Sequence, residues 1–219
     1  MEMPSIPLAL EAFLPVLLSG VGTFFLARLI RKLDQSCGDL ASLGFLLITL
    51  GSFLHALWKL LLATNALNIS VLNYSLFIFT APGFVLLAWA LWNTFYGGPS
   101  GTPVWVVPVI IIVVGGGAAA INALSKGGQR WFYILLGLAT IAQIVMAVLL
   151  AWQSWRRGLQ FAALMFIFYL IMISVQASFF RFLASSLTLQ WIGQTASTIF
   201  LATFAYASWQ LERNITGKR

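Results

Sequence analysis

The stretch Val104–Leu124, VWVVPVIIIVVGGGAAAINAL, runs for 21 residues without one ionisable side chain. A bilayer's hydrocarbon core is about 30 Å thick and a helix rises about 1.5 Å per residue, so roughly 20 apolar residues carry a chain across it. This run has that length, and it predicts a membrane-spanning helix.

Working outward, six more apolar runs follow the same rule. They lie at about Leu8–Ile30, Ser42–Ala63, Ser75–Tyr96, Trp131–Trp152, Leu159–Leu183 and Leu189–Leu211. Open strands would leave backbone groups unpaired in lipid, so every span is expected to be helical. The fold class is therefore an all-α membrane protein, a bundle of seven transmembrane helices. Residues 1–219 form one such domain, with no room for a separate soluble one. Composition agrees. Charged residues make up 8% of the chain, against roughly 25% in globular domains.

The breaks are chemically sensible. Arg31-Lys32-Leu33-Asp34 closes the first span, and Asn65 to Asn73 is a polar-leaning turn. Gly97-Gly98-Pro99-Ser100-Gly101 and Ser125-Lys126-Gly127-Gly128 are loop signals, and Arg156-Arg157-Gly158 separates the fifth and sixth spans tightly. Ser185-Ser186, between the sixth and seventh, is the weakest break because it holds no glycine, proline or charge. The start, Met1-Glu2-Met3-Pro4, is acidic where a secretory signal would be basic, so the first run is expected to be retained as a helix.

The net charge of +7 does not point to nucleic acid, because the basic residues sit at the ends of apolar runs. With the N-terminus outside and the C-terminus inside, the inner loops and tail hold Arg28, Arg31, Lys32, Arg156, Arg157, Arg213, Lys218 and Arg219. The outer loops hold only Lys126 and Arg130. The excess of inner basic residues predicts that orientation. Trp105, Trp131, Trp152, Trp155, Trp191 and Trp209, at the run ends, suit an interfacial belt. The expected location is a plasma or inner membrane, with the protein as a multi-pass integral component and membrane lipids as its neighbours.

Ionisable residues within spans are costly and mark candidate sites. Here they are Glu11, His55, Lys59 and Arg181. In the expected orientation Glu11, Lys59 and Arg181 share one depth near the outer side, and His55 lies one turn below Lys59 on the same helix face. Ser52 extends that face, with Thr49 further back. The sixth span has a stripe of Ser174, Ser178 and Arg181; the seventh has Gln190 and Gln194 with Thr198 below; Asn122 ends the fourth on the same side. Together these predict a polar pocket opening outward. Lys59 and Arg181 against Glu11 leave one positive charge in excess, which favours an anionic group such as a carboxylate or lipid phosphate. A structural account of the same residues stands beside this one. Lys59 and Arg181 are close enough to the boundary to snorkel, Glu11 suits the first turn of a helix, and the stripes suit interhelical hydrogen bonds.

Other features carry less. Pro15, Pro82-Gly83 and Pro108 are expected to kink their helices. Gly115-Gly116-Gly117-Ala118-Ala119-Ala120 predicts close helix packing. Asn68-Ile69-Ser70 and Asn214-Ile215-Thr216 match a short glycosylation triplet by chance, and Cys37 has no partner cysteine. One histidine and one cysteine build neither a zinc centre nor a bis-histidine haem site. The seventh span holds no lysine, which excludes a retinal Schiff base there; Lys59 is the only lysine within a span. Gly115-Gly116-Gly117 lacks the strand context of a nucleotide-binding loop.

The expected function is binding or transport of a small anionic or lipid-like ligand through the outward pocket, as a receptor-like sensor or transporter. The site residues are Glu11, Ser52, His55, Lys59, Ser178, Arg181, Gln190 and Gln194. The alternative is a structural or accessory subunit partnered by other membrane proteins. An intramembrane enzyme ranks last, since no nucleophile–base pair or metal set is visible.

Overall fold

The computed structural model describes residues 5–65, 70–97, 101–126, 130–183 and 186–217. These form α1 (Ile6–Glu11), α2 (Phe13–Leu33), α3 (Gln35–Ala63), α4 (Ser70–Tyr96), α5 (Val106–Lys126), α6 (Arg130–Arg156), α7 (Gln160–Leu183) and α8 (Leu187–Thr216), and no strand occurs among the described residues. Of the sequence features above, Met1–Pro4, Asn68-Ile69, Gly98-Pro99-Ser100, Gly127-Gly128, Ser185 and Lys218-Arg219 lie outside the described residues, as do the side chains of Lys126 and Arg181.

α1 and α2 run on as one 28-residue span, Ile6–Leu33, so the chain makes seven helical columns. The short interruption at Ala12 has a cause in Pro15. Proline has no N–H to give to the carbonyl four residues back, which here is that of Glu11, and its ring crowds that carbonyl. Ala12 itself keeps a helical backbone (φ −58, ψ −19), so the column continues with one turn loosened.

Several boundaries move from the sequence reading. α3 starts at Gln35 rather than Ser42 because Asp34 caps it. The Asp34 carboxylate accepts from the Ser36 amide at 2.9 Å, the Ser36 hydroxyl at 2.7 Å and the Cys37 amide. This satisfies the helix's orphan donors. The Ser36 hydroxyl is the main reason the Asp34 carboxyl sits below its ordinary pKa. α4 starts at Ser70 rather than Ser75, so the polar turn after Ala63 is shorter than expected. Asn65 closes α3 in the left-handed conformation (φ 54), as Gly97 (φ 79) and Gly158 (φ 76) do after α4 and α6. The hydroxyl of Ser186 accepts from the Leu189 amide and caps α8, which separates the sixth and seventh columns.

Pro108 does not kink its helix. α5 begins at Val106, so the missing N–H falls in the first turn, where no intrahelical bond is lost. The carbonyl four residues before it, Val104, instead accepts from Trp89 Nε1 at 2.8 Å.

The columns are long and apolar enough to cross a membrane in five cases: Ile6–Leu33, Gln35–Ala63, Leu72–Tyr96, Val106–Ser125 and Arg130–Arg156. The chain is thus a helical membrane bundle. α7 carries a shorter apolar stretch, Gln160–Gln176. α8 is less apolar, and the structure supplies the reason: its polar residues, including Gln194, Ser197, Ser208 and Glu212, turn inward rather than to lipid.

Six columns close into a ring in the order α2, α3, α4, α6, α7, α8 and back to α2. α5 stays outside, against α6 and the flank of α4. That placement narrows the close packing expected of residues 115–120 to one face, where Gly115 meets Leu138 and Ala119 is buried with Ala81, Leu135 and Ala139. A Cβ on Gly116 or Gly117 would meet nothing within 4 Å, and Gly115 faces only Leu138. Backbone-to-backbone packing occurs between α3 and α4, where a Cβ on Gly44 would lie 2.7 Å from the Gly83 carbonyl oxygen. Small residues let two membrane helices approach backbone to backbone, and van der Waals contact holds them there.

Burial is uneven along the ring. One large core fills the half that holds Leu26, Ile48, Leu87, Met146, Phe166 and Phe204, all fully buried. The half nearer Ala12 and Trp131 has only two small clusters. A cavity takes the place of the missing core.

Candidate functional site

The cavity has a volume of about 290 Å³. Every ring helix contributes to its wall and α5 contributes nothing. The wall residues fall into matching windows: Ala12–Ser19 on α2, Ser52–Lys59 on α3, Leu136–Gln143 on α6, Tyr169–Gln176 on α7 and Gln194–Leu201 on α8. Each window is seven residue steps from end to end, about two helical turns, so the cavity is about 10 Å deep. Columns that follow one another in the chain run in opposite directions. One rim therefore carries Lys59, Gln176 and Gln194, and the far level carries Ser19, Ser52, Gln143 and Tyr169.

At the rim, Lys59 Nζ donates to Gln194 Oε1 at 3.0 Å. The Glu11 carboxylate bears on Lys59 electrostatically. Glu11 Oε1 accepts from the Thr198 hydroxyl, and its Oε2 is buried with no partner among the described residues. Gln176 Nε2 donates to the Ser197 hydroxyl at 2.7 Å. Ser197 and Thr198 lie three and four residues after Gln194, so one face of α8 ties the rim to α1, α3 and α7.

Between the levels, the His55 imidazole stacks on Trp58 with ring centroids 5.5 Å apart. Its Nδ1 is buried and unpartnered among the described residues. Thr80 and Thr140 also line this zone, but their hydroxyls bond back to Leu76 and Leu136 of their own helices. The floor is aromatic. Tyr169 stacks on Phe204 at 4.6 Å and leans on Phe200 at 5.7 Å.

The structure brings Ser52, His55, Lys59 and Gln194 to the cavity wall and holds Glu11 beside its rim. It does not bring Ser178 there. Ser178 is exposed on the outer face of α7, with its hydroxyl returned to the Ser174 carbonyl, and Ser174 is likewise exposed and bonded to Leu170. The inward face of α7 is Tyr169, Ile173 and Gln176. Gln190 is half-buried one turn above Gln194 and is not part of the wall. Arg181 belongs to α7. Asn122 bonds to Ala118 on α5, outside the ring. The expected excess of positive charge had counted Arg181; in the described site, Lys59 has Glu11 as its counter-charge.

Ser19, Gln143, Tyr169, Gln176 and Ser197 were not singled out from the sequence. The available signal was an uncharged polar side chain in the middle of an apolar span. Gln143, among Ala139, Ile141, Ile144 and Val145, is the plainest case. An amide there costs free energy unless it faces protein or water.

A second polar cluster lies at the opposite end of the ring. The Glu212 carboxylate is buried and accepts from Lys32 Nζ at 2.8 Å, with Arg28 Nε at 3.4 Å. It joins α8 to α2 below the core. Among the described residues no group of His, Cys, Asp or Glu is arranged to hold a metal ion.

No known protein family, curated protein or solved structure gives a significant match to this chain.

Proposed function

We propose that this protein binds a small anionic amphiphile in the six-helix cavity, entering at the Lys59 rim. The observation that carries the reading is the charge of the wall. Among the described residues its only cation is Lys59 and no carboxylate lines it; Glu11 stands behind the rim, bonded to Thr198 and facing Lys59 as its counter-charge. An ammonium beside an apolar chamber suits an acid with a short hydrocarbon body. Buried ligand sites are of this kind: mostly apolar, with a few placed polar groups. The volume has room for a ligand of about ten non-hydrogen atoms or more. The packed core beneath Tyr169 favours entry and release through the same rim, which suits a sensor or carrier better than an open channel.

The test is calorimetric titration of octanoate into the protein in lipid nanodiscs. Octanoate is expected to bind, octanol to bind more weakly, and Lys59→Gln to remove most of the preference for the acid. The substitution keeps a hydrogen-bonding group opposite Gln194, so the helices stay paired. Equal binding of acid and alcohol to the parent protein refutes the role of Lys59.

A further inference from the structure

The reading above fixes one end of the ligand, and the other end follows from which polar groups in the wall remain free. Hydroxyls that bond to their own helix have little capacity left. Thr80 and Thr140 are of this kind, and Ser197 is occupied by Gly193 and Gln176. At the far level the situation is different. Ser52, Gln143 and Tyr169 line the cavity and have no hydrogen-bond partner among the described residues. They come from three helices, α3, α6 and α7, and converge on one level. Lys59 lies two turns from Ser52 on α3, as Gln176 lies two turns from Tyr169 on α7, about 10 Å in each case.

Polar groups kept in an apolar interior without partners cost free energy. An amide and two hydroxyls at one depth are therefore either solvated or matched by a ligand. Each of the three both donates and accepts, so the set fits a hydroxyl or a carbonyl equally. None carries a charge, and no charged side chain among the described residues lines that level. A second ionic head would lie unpaired against aromatic rings, at a large desolvation cost. The middle of the chamber, with Val16, Ala56, Ala139 and Ile173, suits a hydrocarbon bridge.

We propose that the ligand is two-headed: an anion at Lys59 and a neutral hydroxyl or carbonyl about two helical turns deeper, held by Ser52, Gln143 and Tyr169. The chemical class is a medium-chain hydroxy- or oxo-carboxylate. This rests on the binding reading given above and specifies its substrate.

The experiment compares octanoate with 8-hydroxyoctanoate by calorimetry in nanodiscs, on the parent protein, on Gln143→Leu and on Tyr169→Phe. One additional neutral hydrogen bond corresponds to about a tenfold gain at most. The hydroxy acid is expected to bind several-fold to tenfold more tightly than octanoate. Gln143→Leu is expected to erase that gap, and Tyr169→Phe to narrow it. Circular dichroism and thermal unfolding check that the variants fold; if Gln143→Leu does not, Ser52→Ala serves the same purpose. Lys59-dependent binding of both acids with equal affinity overturns the two-headed ligand and leaves the anion site standing. A gap that survives Gln143→Leu, Tyr169→Phe and Ser52→Ala overturns the assignment of the far level. Failure of both acids to bind overturns the anion site and this inference with it.

Discussion

Replacing Gly44 by alanine places a methyl group 2.7 Å from the Gly83 carbonyl oxygen and 3.2 Å from the Leu87 amide nitrogen. Both are backbone atoms, so no side-chain rotation relieves the clash. α3 and α4 must part by several tenths of an ångström along a contact that also holds Gly51 against the Ser75 and Leu76 carbonyls. Overpacking of this kind costs about 1–3 kcal/mol. The same substitution at Gly116 meets nothing within 4 Å. There alanine only improves helix propensity, by up to about 1 kcal/mol. Gly44 is helical too and shares that gain, so the two chemically identical changes should differ by the overpacking cost, about 1–3 kcal/mol, with Gly44→Ala the less stable. Equilibrium unfolding in mixed micelles with increasing dodecyl sulfate, followed by circular dichroism, measures the difference. If Gly116→Ala destabilises as much as Gly44→Ala, α5 is not the outlying column, and the six-helix ring is wrong.

Two further outcomes test the end of the bundle away from the cavity. Glu212→Ala removes the shared acceptor of Lys32 and Arg28, but both cations are about half exposed and regain water. The expected loss is about 1–2 kcal/mol rather than that of a fully buried pair, with Glu212→Gln intermediate in the same unfolding assay. Asp34→Ala should cost about 1 kcal/mol through loss of the α3 cap, and Asp34→Ser should restore most of it. The Asp34 carboxyl is lowered from 3.8, so its stabilisation is complete above that pH and is lost as pH falls through the folded value. The stability gap between the parent protein and Asp34→Ala should stay constant above about pH 5 and close in stronger acid, as acid titration of the unfolding midpoint would show.

Hydropathy alone determined the number of columns, their helical character and most of their ends. The reason is solvent: hydrocarbon cannot satisfy backbone groups, so a long apolar run has one outcome. Local chemistry also placed Pro15, Gly97 and Gly158 at breaks in the helices. What escaped was everything that depends on which helix faces which. Gly115-Gly116-Gly117 and Gly44 look alike in one dimension, yet only Gly44 meets another backbone. Ser178 and Gln176 are two residues apart on α7, and a rotation of about 200° puts the first toward lipid and the second into the cavity. Asp34 does end one helix, its amide bonded to the Ile30 carbonyl, but it also starts the next, because its carboxylate reaches forward to Ser36 and Cys37. For the site, Ser52, His55 and Lys59 were visible because they share one helix face. Gln143 and Tyr169 joined them only through the closure of six columns, a contact order no local spacing encodes. The membrane fixes what each segment becomes; the packing of one helix against the next decides where the polar groups meet.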